Sequence, residues 1–467
     1  MAVKLSPLFF WVGPIKNIIW DSFWWVVLFI VILWVPFLRV WWWVFLPLML
    51  ATQLKELYLW WMNWDFAYAK LKWIMLEITP PKEVLVPVKA MEDVFSVVWT
   101  IWDGPNWRER WCSGELGYAP YWCSWEIVSL EGKIHFYLRV LPPHRTTIET
   151  ALFAYYPDIE INEVSDYVKL VPPTVPNDDW DVYGEDYILA NTNVLPIKTY
   201  EKFFEPQGER IAAEEKRMDP IISLLEGLSR LGPGENFWVQ FITMPIAKSN
   251  EPSFEKDSIS YINKISKRPE KKELKWWEEI WYYIKQIVIG PQKEGSGESA
   301  KYSWAPMQKE ESGEREMVLT PGERELITEV ENKLKKALFK TVIRGIYVAK
   351  RENWKSSNKA VLRAYLSSHY SAQNMNRIQF NAPTRPKVHY IMRERRTFIR
   401  ARKMFRMAVL RLTPGFPDRE KFSSIYSTEE MATLFHFPLR VSGMVSPTMS
   451  KVESKKAGPP PNLPVDE

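Results

Sequence analysis

From Ser22 to Leu50 the chain reads SFWWVVLFIVILWVPFLRVWWWVFLPLML, broken by one charge at Arg39, whereas beyond residue 72 apolar and polar positions alternate or recur at helical spacing. A helix of about 20 apolar residues crosses a bilayer core, so the pattern predicts a transmembrane helical anchor over residues 1–71. Trp24, Trp25, Trp34, Trp41, Trp42 and Trp43 supply the amphipathic rings that favour a membrane interface. Pro36 and Arg39 split the run and leave two arrangements open. Ile18 to Leu38 and Val40 to Leu54 make a hairpin of two spans, or one span precedes an aromatic amphipathic helix lying along the surface. Lys55, Lys70 and Lys72 follow the run, which favours a cytoplasmic body. No small-residue cleavage site follows it, so a removable signal peptide is not expected.

Beyond the anchor the periodicity predicts two α+β domains. Lys72 to Thr79 reads as a strand ended by Pro80-Pro81, and Met91, Val94, Val97, Val98 and Ile101 mark a helix over Val88 to Ile101. Trp122 to Leu130 and Lys133 to Leu141 alternate around Glu131-Gly132, a two-residue hairpin signal. A helix from Thr146 to Tyr156 and a strand from Ile159 to Val168 complete a split βαβ, ferredoxin-like two-layer domain over residues 72–182. A second such domain is expected over 183–385. Its strands fall near Asp186 to Val194, Asn236 to Ile246, Thr341 to Val348 and Ile378, and its helices at Asp219 to Leu231, Thr320 to Ala337 and Lys359 to Ser368. Residues 249–318 interrupt it with a polar insertion too poor in apolar groups to offset chain entropy. Inside the insertion, Trp276, Trp277, Ile280, Trp281, Ile284, Ile287 and Val288 form an apolar stripe. A contact with the bilayer surface and docking on the chain's own sheet both account for it, and docking is the simpler reading.

Composition adds little to this picture and chemistry subtracts from it. The 25 tryptophans reinforce the interfacial reading, and a net charge of +5 on 467 residues gives no whole-chain argument for nucleic acid. Cys112 and Cys123 are too few for a disulfide framework and wrongly spaced for a zinc ribbon, so both are expected as reduced thiols. No P-loop, G-x-S-x-G elbow or H-E-x-x-H pair occurs, so ATP hydrolysis by this chain alone is not expected. His135, His144, His369, His389 and His436 are dispersed, and no metal, cofactor or catalytic residue is assigned. Asp158, Glu160, Glu163 and Asp166 form an acidic series that reads as a solvated strand edge.

Residues 386–445 carry the least ordinary pattern. Arg393, Arg396, Arg400, Lys403 and Arg406 stand with Arg395, Arg402 and Arg411 against few acids, interleaved with Ile391, Phe398, Phe405 and Val409. This is an amphipathic basic helix, with anionic lipid, DNA or an acidic partner protein as its physically reasonable contacts, and a solvated helix packed inward by Phe398 and Phe405 as the plainer reading. Ser427-Thr428-Glu429-Glu430 is a capping box that opens a short helix before Pro438. The Pro-rich tail at 446–467 reads as a connector.

STEEMATLFHFP (Ser427 to Pro438) with PTMSKVESKKAGPPPNLP resembles the segment preceding the ATPase core in HerA/FtsK-like type IV secretion or conjugative-transfer ATPases of candidate-phyla bacteria. KWIMLEITPPKEVL, KAMEDVF, SWEIVSLEGKIHFYLRV and ETALFAYYPDIEINEVSDYV are similar to an N-terminal domain of unknown function in the same proteins. The resemblance spans most of the chain from about residue 40, and residues 249–315 match poorly. In those relatives a nucleotide-binding domain follows the tail, and this sequence contains none. The resemblance therefore implies a non-enzymatic module at the bacterial inner membrane, with a cytoplasmic body that partners a P-loop ATPase encoded separately or on a longer chain. It is also compatible with a homo-oligomer matched to a hexameric motor. The alternative is a membrane-tethered nucleic-acid binder that uses residues 393–411 on DNA.

Overall fold

The computed structural model describes residues 71–101 except 82, 83 and 85, then 122–204, 219–247, 252–266, 319–372, 374–389, 392–414 and 422–438, with short stretches within 26–58 and 281–303. In chain order the first half comprises β1 (Ile74–Thr79), α1 (Val88–Trp99), β2 (Cys123–Leu130), β3 (Lys133–Val140), α2 (Arg145–Tyr155) and β4 (Glu160–Val164). The second comprises β5 (Trp180–Leu189), α3 (Tyr200–Phe204), α4 (Pro220–Ser229), β6 (Glu235–Ile246), α5 (Pro252–Ile265), β7 (Gln292–Glu294), β8 (Lys301–Ser303), α6 (Pro321–Lys335), β9 (Leu338–Lys350), α7 (Val361–His369) and β10 (Ile378–Phe380). After it come α8 (Arg393–Leu410), β11 (Ser424–Ser427) and α9 (Thr428–Leu434).

Both halves contribute to one nine-stranded antiparallel sheet, ordered β10-β5-β9-β6-β2-β3-β1-β4, with β11 alongside the start of β9. Strands β2 and β6 join the halves in register, from Cys123 opposite Thr243 to Leu130 opposite Asn236. The reason is in their composition. CSWEIVSL and ENFWVQFITMPI are buried at both parities, so each strand needs a neighbour on either side and cover on both faces. Pairing them with each other meets both needs. The β2–β3 hairpin tip is fitted to the second half as well. Gly132 has φ +86°, and a Cβ there would meet the carbonyl oxygens of Ser229 and Leu231 at 2.8 and 2.7 Å.

One face of the sheet is covered by α1, α2, α4, α7 and α9, over a core that includes Trp125, Phe136, Phe241, Phe339 and Tyr347. The other face is covered by α8, which packs Ala401, Met404, Phe405 and Ala408 on Val128, Trp238, Ile346 and Val348. Helix α9 is enclosed: every residue from Thr428 to Phe437 is buried. Its capping box is formed, with Ser427 Oγ accepting from Glu430 N at 3.4 Å and Glu430 Oε2 accepting from Ser427 N at 2.8 Å. Glu430 also accepts from Ile197 N and pairs with the buried ammonium of Lys333 at 3.0 Å. Phe435 lies 5.2 Å from Trp125 of the first half and 6.0 Å from Phe241 of the second, so it holds the seam between them.

The expected fold class is corrected in two respects. The second α+β unit is not a separate domain, because its strands extend the sheet of the first, and the boundary drawn at 182 falls inside β5. Among the described residues no helix is long and apolar enough to cross a membrane. Of the expected anchor residues, Trp24, Trp25 and Arg39 lie outside the described residues, while Trp34, Trp41, Trp42 and Trp43 are exposed. Most of the insertion lies outside the described residues too, but Pro252–Ile265 within it is a helix with Phe254 buried against Ile246 and Leu338. Trp281, Ile284 and Ile287 of the apolar stripe are exposed, which removes docking on the sheet as their role. The Pro-rich tail lies outside the described residues.

Burial of Met431, Leu434, Phe435 and Phe437 contributes about 1.5–3 kcal/mol each, a sum comparable to the whole stability of an ordinary domain. A chain ending at Pro438 should therefore melt cooperatively by circular dichroism, and one ending at Ser427 should show no transition. Phe435→Ala in the full chain should cost about 3–5 kcal/mol by urea unfolding.

Candidate functional site

Single polar residues interrupt the apolar strands at one level, and the register sets them side by side under α8. Asp186 faces Arg344, Arg344 faces Gln240, Gln240 faces Glu126, and Glu126 faces Tyr137. The row continues through Glu77 to Asn162, so it crosses the sheet from β5 to β4. At its centre the buried Arg411 guanidinium descends from the end of α8. Arg411 itself has φ +54°, a left-handed residue that ends the helix and turns the side chain into the sheet.

Arg411 donates to both oxygens of Glu126 at 2.9 and 3.2 Å and to both oxygens of Asp166 at 2.7 and 2.9 Å. Tyr167 and Ser124 each donate to Glu126 at 2.6 Å, and Gln240 donates to the Tyr167 hydroxyl at 3.0 Å and to the Ala408 carbonyl at 3.1 Å. Burial alone would raise the Asp166 carboxyl, but Arg411 beside it outweighs that and holds it below the ordinary carboxylate value. Further along, Arg344 donates to Asp186 at 2.7 Å, while Arg344 Nη1 and Nη2, Asp186 Oδ2 and Gln240 Oε1 find no protein partner. The row is complete at its Arg411 end and incomplete at its Arg344 end.

The outward side of α8 is where the predicted basic residues lie. Arg393, Arg395, Arg396 and Lys403 are exposed, and Arg400, Arg402 and Arg406 are half-buried. Arg400 donates to the Lys387 carbonyl at 3.4 Å, which ties the helix to the β10 side of the sheet. The predicted apolar stripe is partly corrected. Phe405 is buried and Val409 half-buried, Ile391 lies outside the described residues, and Phe398 is exposed together with Met392 and Ile399. The short Ala401 and Ala408 side chains let α8 approach the strands closely. Arg411 belongs to the buried network and not to the basic surface.

The other sequence candidates stay apart. Asp158, Glu160 and Glu163 are exposed, and only Asp166 of the acidic series reaches the buried network. His135 meets Glu77 at 2.7 Å, His369 meets Ser223 at 3.1 Å, and His389 is exposed. His436 Nε2 lies 2.9 Å from Asp219, which also caps α4 by accepting from Ile221 N. No group of His, Cys, Asp and Glu that could hold a metal ion exists among the described residues. Cys112 lies outside the described residues. Burial pushes the Cys123 thiol to about 11, so it is not a nucleophile at neutral pH. It lines a shallow depression with Val98, Ile101, Trp122, Val140 and His144.

Sequence reasoning missed Glu126, Gln240, Arg344 and Asp186. The signal was available for three of them: Glu126, Gln240 and Arg344 are polar groups midway along mostly apolar strands, which burial tolerates only with a partner, whereas Asp186 stands beside Glu185 in a polar stretch that carries no such signal. No protein-family model matches this chain, and no curated protein matches it in sequence.

Arg411→Met should leave the buried Glu126 and the half-buried Asp166 without their cation and cost about 3–5 kcal/mol in urea unfolding. Burial lowers the His436 imidazole, but Asp219 raises it further and leaves it above the ordinary value. Its stabilisation should be full below about pH 6.5 and fall away as pH rises through the higher folded value, which urea midpoints across that range would show. His436→Gln should flatten that dependence.

Proposed function

We propose that this chain is a non-enzymatic assembly module of a type IV secretion or conjugation-like translocation machine, and that it docks the machine's P-loop ATPase. The observation that carries this reading is the outward side of α8. Met392, Phe398 and Ile399 are exposed among Arg393, Arg395 and Arg396, on a helix whose inner side is fixed to the sheet. Apolar and arginine side chains mixed on a rigid support suit a protein partner with an acidic surface, because arginine and large apolar groups anchor interfaces. Phosphate contact alone would have no use for the apolar groups.

Two further features support it. The segment whose sequence resembles the approach to an ATPase core is enclosed between the halves, so the tail beyond Pro438 starts from a fixed point. Cys123 is held as a thiol, and the buried carboxylates described above are engaged with arginine, lysine, tyrosine or histidine, an arrangement that supports a structural role. Residence at the inner face of the bacterial membrane belongs to the same reading. It rests on the aromatic sequence at 22–50 and on the exposed Trp34 and Trp41 to Trp43. Self-association in register with a hexameric motor is part of the reading by analogy.

Co-expression with a P-loop ATPase encoded next to this chain should yield a co-purifying pair. Arg393→Glu with Arg396→Glu should weaken the pair at least about tenfold in a pull-down while thermal melting stays unchanged. A pair indifferent to this double reversal would overturn the docking surface.

A further inference from the structure

Between α5 and β7 the chain reads WWEEIWYYIKQIVI from Trp276 to Ile289. At helical spacing this run carries two complete apolar ridges side by side, Trp276-Ile280-Tyr283-Ile287 and Trp277-Trp281-Ile284-Val288, which together span about 160° of the circumference. Glu278, Glu279, Lys285 and Gln286 fall outside that arc. Residues 281–284 and 287 are helical, and Gly290, at φ +73° ahead of Pro291, supplies a helix-ending pair. The arc is turned outward. Trp281, Tyr283, Ile284 and Ile287 are 69, 57, 43 and 82% exposed, whereas Tyr282, off the arc, is half-buried.

Length, width and composition decide what covers such a face. An apolar-rich run of about 14 residues is short of the about 20 that a span needs, and suits a buried core helix, a re-entrant segment or an interfacial helix. Exposure rules out the first, and the charges off the arc rule out a segment dipping into hydrocarbon. A protein groove takes a single ridge at i, i+4 and i+7, and a seam with a second copy uses a stripe as narrow; here the ridge is doubled. A bilayer surface asks for a broad apolar face, indole and phenol rings at headgroup depth, and cations beside them. Lys267, Arg268, Lys271, Lys272 and Lys275 lead into the run against Glu270 and Glu273. The tryptophans divide in the same sense. Every described one in the folded body is buried or half-buried, and the exposed ones are Trp281 here and Trp34, Trp41, Trp42 and Trp43 in the first aromatic run.

We infer that this helix lies in the plane of an anionic bilayer surface, with its two-ridge face among the headgroups, and gives the chain a second membrane contact besides the aromatic sequence at 22–50. The inference rests on the membrane residence proposed above and is independent of ATPase docking by α8. Helix α5, fixed to the sheet by Phe254, ends at Ile265, so the chain leading to Trp276 reaches at most about 40 Å and keeps the body within that distance of the lipid.

The test attaches an environment-sensitive nitrobenzoxadiazole label at Ile287→Cys in the full chain, with Cys112→Ser so that the buried Cys123 is the other thiol. The label reports on this helix whatever residues 22–50 do. Phosphatidylcholine vesicles containing about 30% phosphatidylglycerol should shift its emission to the blue, and nitroxide lipids should quench it more from the headgroup region than from mid-chain. The same label at Gln286→Cys should shift much less. Partitioning onto pure phosphatidylcholine should be at least about tenfold weaker. Trp281→Gln with Ile284→Gln should weaken partitioning of the position-287 label at least about tenfold while the melting curve stays unchanged, because both side chains are exposed. A label that stays unshifted while the chain floats with the vesicles, or that partitions equally onto neutral lipid, would overturn the inference alone. A chain that does not float at all would overturn membrane residence with it. Emission already blue without vesicles, at every protein concentration or only as concentration rises, would assign the face to the chain itself or to a second copy and overturn the inference as well.

Discussion

The pairing of β2 with β6 is the constraint on which the remaining architecture hangs. Each half alone would end in a long apolar strand with one edge unpaired, a template for aggregation. Brought together, the two strands close that edge with a ladder of hydrogen bonds, each with a net value of about 0.5–1.5 kcal/mol. Chain order and space order then repeat across the seam. Within each half the fourth, first, third and second strands follow one another, and the second strands of the two halves meet in the middle. Two short strands, β10 and β4, fall at the outside, where exposed Glu160 and Glu163 mark the β4 margin.

A sheet with both faces covered needs two layers, and the two layers are chemically unlike. Under α1, α4, α7 and α9 the contacts are mainly aromatic and aliphatic. Under α8 a line of ionised and amide groups runs among the apolar contacts. Such networks hold together only when nearly every member is engaged, which makes them more exacting about alignment than about total energy. Arg411 fixes where α8 stops, because its side chain reaches Glu126 and Asp166 only from a left-handed turn at that position. The outward residues of α8 are thereby set in angle by an ion cluster on its far end.

Much of the local structure could be read from the sequence. The β2–β3 hairpin at Glu131-Gly132, the helix beginning at Val88 and the capping box at Ser427 each have a local cause, in turn chemistry, periodicity or a side-chain bond three residues away. What could not be read was non-local. Periodicity gives the faces of β2 and β6 but not their partners, so two domains were expected where one sheet exists. β5 begins earlier than expected because Asp181 and Gly184 look like loop residues until Ala349 and Ile346 are placed opposite them. Phe398 was assigned inward because spacing counts apolar residues without knowing which ones the sheet can reach. The basic residues of α8 were identified individually.

The enclosure of α9 has a mechanical consequence. Force applied to the chain beyond Pro438 enters the molecule at Phe437, which packs 5.4 Å from Phe136 and 5.3 Å from Tyr156, and then at Phe435 on the seam. A tug there loads both halves at once, near the middle of the sheet, instead of peeling away a strand at the margin. The body therefore resists traction as a unit, which is the property a mooring point requires when whatever is attached to it does work.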